Sequence, residues 1–161
     1  MIRKLSLAAL LFSPVLASAA TQLPTAPYLP LELATKAADA AVKACAAQGH
    51  NVSVAIVARD GSTKVLLKGD NAGPHTASSA VGKAFTSAGM GRDTAGLAEF
   101  IASKPANDGL RDMDSRMVIQ AGGLPVKFGK ALVAGIGVGG APSGDIDAGC
   151  AAEGLKAIGA E

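Results

Sequence analysis

Residues 70–94 read DNAGPHTASSAVGKAFTSAGMGRDT, a loop leading into the helix on which the rest of the domain is built. A polar loop punctuated by Gly73 and Pro74 runs into a segment with helical periodicity. Ala77, Ala80, Val81, Ala84, Phe85 and Ala88 recur at spacings of three and four, which makes one apolar stripe along a helix. Ser78, Ser79, Lys83, Thr86 and Ser87 fall on the other faces. Thr76 is the expected N-cap, its hydroxyl accepting an orphan backbone N–H. Gly89 and Gly91 end the helix. His75 is left at or just outside the helix N-terminus, on a loop, in a chain with two histidines. It is the first candidate for a ligating or catalytic side chain.

Outward from this helix, the chain alternates recognisable elements. Pro24, Pro27 and Pro30 make residues 21–30 an extended lead-in. Residues 31–48 form a helix with Leu31, Ala34, Ala38, Val42 and Cys45 on one face, stopped by Gly49. Residues 52–58, VSVAIVA, read as a buried strand. Asp60-Gly61 centres a hairpin turn, and residues 63–68 return as the paired strand. A second short helix is expected over 94–104. A polar loop follows at 106–115, then a strand at 117–121, a tight turn at Gly122-Gly123-Leu124-Pro125 and a strand at 131–138. A final helix spans 145–159, capped by Asp145 or Ser143. Hairpins outnumber βαβ units, which predicts an α/β domain of the α+β kind: a central antiparallel sheet of about five strands with helices packed on its faces.

The first twenty residues belong to a leader rather than to the fold. Arg3 and Lys4 form a basic n-region, residues 5–17 an apolar stretch, and the small residues around Ala17-Ser18-Ala19-Ala20 a cleavage site. The expected organisation is a signal peptide at 1–20, the lead-in at 21–30 and a single domain at 31–161, in a periplasmic or secreted protein. No later segment is long and apolar enough to suggest stable membrane insertion. The whole chain carries 15 basic and 13 acidic residues; without Arg3 and Lys4 the numbers are equal. With no basic stripe, and with Tyr28, Phe85, Phe100 and Phe128 as the only aromatics beyond the leader, nucleic-acid binding is not expected.

Other patterns have simpler readings. Gly135, Gly137 and Gly140 satisfy a GxGxxG spacing, but they lie in and after the last strand rather than in a βαβ unit. Alternating Gly135, Gly137 and Gly139 instead clear one strand face for close approach by a helix, a neighbouring subunit or a flat ligand. Asp108, Asp112 and Asp114 match no EF-hand loop and suit a solvated loop paired with Arg111 and Arg116. No GxSxG elbow is present. His50 follows a helix C-terminus and reads as structural. Cys45 and Cys150 are either a disulfide, which an oxidising compartment permits, or two buried thiols.

Taken in order, VSVAIVARDG, GDNAGPHTASSAVGKAFTSAGMGRDT, GGLPV and ALVAGIGVGGAPSGDIDAGCAAEGL resemble the GlcG/HbpS-like haem-binding family, which includes the C-terminal domain of PduO-type proteins. The resemblance covers nearly all of residues 31–158. It implies a small profilin-like domain that assembles into dimers and larger rings, and haem or a related tetrapyrrole as cofactor. On this basis His75 is the proposed axial ligand of the haem iron, with Thr76 and Lys83 as further cofactor-binding residues. Lys83 matches the basic residue of the family's KA(F/Y)T segment and would pair with a propionate; the alternative is a solvated helix lysine. One departure is Ala58, where the family often has Asp.

The function expected is haem or tetrapyrrole binding by an exported homo-oligomer, in sequestration or sensing. One alternative is an enzyme acting on haem or a small hydroxy acid. Against it, the sequence offers no nucleophile–base pair and no metal cluster. The other is a ligand-free accessory module of a sensor system.

Overall fold

A computed structural model describes residues 22–161; the expected leader lies outside the described residues. The elements are α1 (Leu31–Ala46), β1 (Ser53–Ala58), β2 (Thr63–Lys68), α2 (Thr76–Met90), α3 (Thr94–Ala102), a 3-10 helix (Pro105–Asp112), β3 (Gly123–Phe128), β4 (Ala131–Gly139) and α4 (Gly144–Ala157). The four strands form one antiparallel sheet in the order β2-β1-β4-β3. The α+β class is as the sequence implied, with four strands where about five were expected.

The two sheet faces are built differently, and the period of two along β4 sets the difference. Val54 and Ile56 of β1 join Ile136 and Val138 of β4 on one face, where α1 and α4 cover them. Ala34, Ala37, Ala38 and Ala41 of α1 are fully buried there. The small side chains bring the two helices close, and the Cys45–Cys150 disulfide joins α1 to α4 with Cα atoms 5.5 Å apart. On the other face, Ala55 and Val57 lie beside Gly137 and Gly135 in register. The helix α2 rests on this row through Ala80, Ala84 and Ala88. A β-carbon added at Gly135 or Gly137 would collide with the backbone of α2 at Ala80, Ala84 and Ala88. Of the three occupants the sequence allowed for the glycine face, the helix is the one present.

Three sequence expectations are corrected. The strand expected at 117–121 does not form; β3 begins at Gly123, inside the expected turn, and pairs Gly123 with Gly137. Residues 115–120 run along α2 instead, where Val118 N–H donates to Thr86 Oγ1 at 2.9 Å. The helix itself is buried on more than one face, because Lys83, Thr86 and Ser87 are inside as well as the alanine stripe. Finally, Thr76 is not the N-cap. His75 holds that position without a side-chain cap, and Thr76 is the first helical residue. Other punctuation follows the sequence: Ser143 accepts from Ile146 N–H at the start of α4, and Gly91 closes α2 with φ at +68°.

Candidate functional site

A cleft of about 730 Å³ opens along the first two turns of α2, with His75, Ala77, Val81 and Gly82 on one side and Arg116, Val118 and Gln120 on the other. Leu66 of the edge strand β2 contributes a further apolar wall and is 44% exposed. Gly82 sets how closely the two sides approach. A β-carbon there would overlap the Val118 side chain and lie 3.0 Å from Arg116 O. The segment 115–120 therefore packs directly on the helix, and its backbone is held by Thr86 and by Thr94, whose Oγ1 donates to Gln120 O at 2.6 Å.

His75 stands at the rim of this cleft and is exposed. Its carbonyl is committed to the helix, accepting from Ser79 N–H and Ser78 Oγ. Its ring lies over Gly73, where a β-carbon would be 3.0 Å from Cε1. No hydrogen bond ties the ring to the protein among the described residues. An imidazole with uncommitted nitrogens beside apolar walls has the donor chemistry of a metal or haem ligand.

Arg116 lines one wall of the cleft, and its side chain reaches past the cleft to Phe85. Its guanidinium lies 4.1 Å from the Phe85 ring centroid and pairs with Asp114 at 2.6 Å. The hydrogen bonds from Arg116, side chain first and backbone second, hold the Asp114 carboxyl at about 2, well below its ordinary 3.8. Phe85 is ten residues beyond His75, about 15 Å along the helix axis at ~1.5 Å per residue. A donor thus stands near the helix N-terminus, and a cation lies beyond the cleft, against Phe85 and paired with Asp114. Sequence reading placed Arg116 only in the acidic loop. The acidic loop was expected to pair with Arg111 and Arg116, and the pairs that form are Asp108–Arg111 and Asp114–Arg116. What escaped was the return of this segment onto α2, since 117–121 read as a strand and its anchoring by Thr86 and Thr94 leaves no local signal in the sequence.

Thr76 and Lys83 face inward rather than into the cleft. Thr76 Oγ1 donates to Gly73 O at 2.8 Å and lies 2.8 Å from Ser53 Oγ, so its hydroxyl joins α2 to β1. Lys83 is 2% exposed, and its Nζ donates to Val138 O at 3.0 Å and Asp147 Oδ2 at 2.8 Å. Neither the propionate partner nor the solvated lysine expected from the sequence describes it. An amine so enclosed requires a carboxylate inside the fold. His50 borders a separate cavity beside Lys68 and Asp70, away from His75. No cluster of three or more His, Cys, Asp or Glu suited to a metal ion occurs among the described residues.

A family model described as a haem-degrading protein, HbpS-like, matches residues 29–156. The crystal structure of HbpS is 45% identical, covering 88% of this chain and 97% of that one, with a TM-score of 0.80. A double mutant of Streptomyces reticuli HbpS is also 45% identical, covering 89% and 97%, with a TM-score of 0.79. A PduOC:heme complex is 24% identical, covers 84% and 98%, has a TM-score of 0.77 and shares the fold. A search of curated proteins finds no match.

Proposed function

The chain belongs to the HbpS-like family, and from that premise we propose that it binds haem in the cleft along α2, with His75 as an axial ligand of the iron. The observation that carries this reading is the exposed His75 ring, free of protein hydrogen bonds, at the rim of a cavity walled by Leu66, Ala77, Val81 and Val118. Apolar walls exclude water from a macrocycle, and imidazole is a common iron ligand. Arg116 takes the place that the sequence gave to Lys83, as the cation beside which a propionate would lie. Bound haem would supply iron-centred chemistry, with the protein setting axial ligand and pocket polarity. The PduOC:heme complex supports the ligand class.

The same reading includes export and self-association. Residues 1–20 have the pattern of a cleaved leader, and the Cys45–Cys150 disulfide suits an oxidising compartment. Exposed Tyr28, Leu31 and Leu66 supply apolar surface for contacts between copies. Sequestration or sensing is the role these features fit.

The test is a haemin titration followed by absorption, on the wild type and on Ala77→Trp, which puts an indole into the cleft. Saturable binding that the indole abolishes supports the site. Equal binding by both proteins would move haem elsewhere on the fold.

A further inference from the structure

A second cavity, of about 260 Å³, borders α2 at Phe85, Thr86 and Gly89 and gathers Met90, Met113 and Met117 in its walls. The chain has four methionines, and these three are all of those beyond Met1. They arrive from two places: Met90 from the last turn of α2, Met113 and Met117 from the irregular segment after the 3-10 helix.

The polar side chains of that wall are already committed. Thr86 Oγ1 donates to Gly82 O and accepts from Val118 N–H. Both carboxylate oxygens of Asp114 accept from Arg116, Oδ1 from Nε and Oδ2 from Nη2. Cys45 and Cys150 are bonded to each other on the far side of the sheet. The side-chain donors left at this cavity are three thioether sulfurs. Hard divalent ions need carboxylate or carbonyl oxygen, whereas soft thioethers select monovalent d10 cations.

We propose that Met90, Met113 and Met117 form a thioether site for a soft monovalent cation of the Cu(I) and Ag(I) class. The donors are neutral and the adjoining Asp114–Arg116 pair has no net charge, so the cation's own charge meets no fixed repulsion. The site is separate from His75 and does not depend on haem.

The experiment titrates the protein with Ag(I), which needs no reductant, and with Cu(I) under anaerobic competition with a chromogenic chelator. Methionine methyl groups labelled with 13C report the site directly. The expected result is one equivalent bound, with the Met90, Met113 and Met117 methyl signals shifting together. The Met113→Leu/Met117→Leu protein should bind at least about tenfold more weakly, the floor set by loss of even an outer-shell partner. Leu for Met conserves volume, so folding is retained, and unchanged circular dichroism checks it. If that protein fails to fold, Met90→Leu and the wild-type methyl shifts decide the matter. Unmoved methyl signals, or affinity unaffected by the leucines, would overturn the proposal. So would binding lost in His75→Ala and kept in the leucine variant.

Discussion

Lys83 Nζ lies 2.8 Å from Asp147 Oδ2, with the two side chains 2% and 4% exposed. The pair joins α2 to the first turn of α4, at the end of the sheet where β4 finishes. Each partner makes one further hydrogen bond: Lys83 donates to Val138 O, and Asp147 Oδ1 accepts from Ala141 N–H at 3.0 Å. One ion pair thereby fixes the end of β4, the turn after it and the start of α4 onto the helix that walls the cleft.

Removing one partner leaves the other charge buried, which costs about 3–5 kcal/mol. Lys83→Met should lower the denaturant-unfolding free energy by that amount. A loss under about 1 kcal/mol, the scale of an exposed pair, would contradict the assignment.

Gly137 faces the backbone of α2 with no room for a β-carbon. Gly137→Ala must push the helix from the sheet, at a cost of about 1–3 kcal/mol or more, as overpacked cores show. The same substitution at Gly149, where a β-carbon meets nothing within 4 Å, should be tolerated. Thermal unfolding of the two variants makes the comparison, and equal midpoints would refute the close approach.

Cys45 and Cys150 are 105 residues apart in sequence, so their bond closes a long loop in the unfolded chain. Replacing both with serine should cost about 2–5 kcal/mol. The serine protein should also become insensitive to reductant, whereas the wild type loses stability when reduced. Chemical denaturation with and without reductant reads both effects.

The Asp114 carboxyl sits at about 2 because Arg116 donates to it. A folded-state value below the ordinary 3.8 means the pair stabilises the fold above that ordinary value. The contribution falls away as pH drops from about 4 through about 2. An NMR titration of the Asp114 carboxyl carbon should show a midpoint near 2, returning toward 3.8 in Arg116→Gln. A midpoint already near 3.8 in the wild type would show that the pair is absent.

Much of the fold was legible because local rules and tertiary packing agree. The spacing of Ala80, Ala84 and Ala88 gave α2, Asp60-Gly61 gave the hairpin, and the alternation of Gly135 and Gly137 gave a face cleared for a close neighbour. Lys83 was not legible. Its neighbours in sequence place it on a polar helix face, and only Asp147, far along the chain, makes that face an interior. The cleft was half legible: His75 stood out at a helix start, while Arg116 and Val118 lie in a segment whose path is set by Gly82, Thr86 and Thr94. Pairing through side chains leaves no periodic trace in sequence.

Ligation of haem by His75 in the cleft would be read in the Soret spectrum of the haemin complex, compared between wild type and His75→Ala. The expected outcome is a saturable wild-type complex, a shifted Soret band in the variant and affinity weakened at least about tenfold. A variant whose Soret band and affinity match the wild type would contradict it.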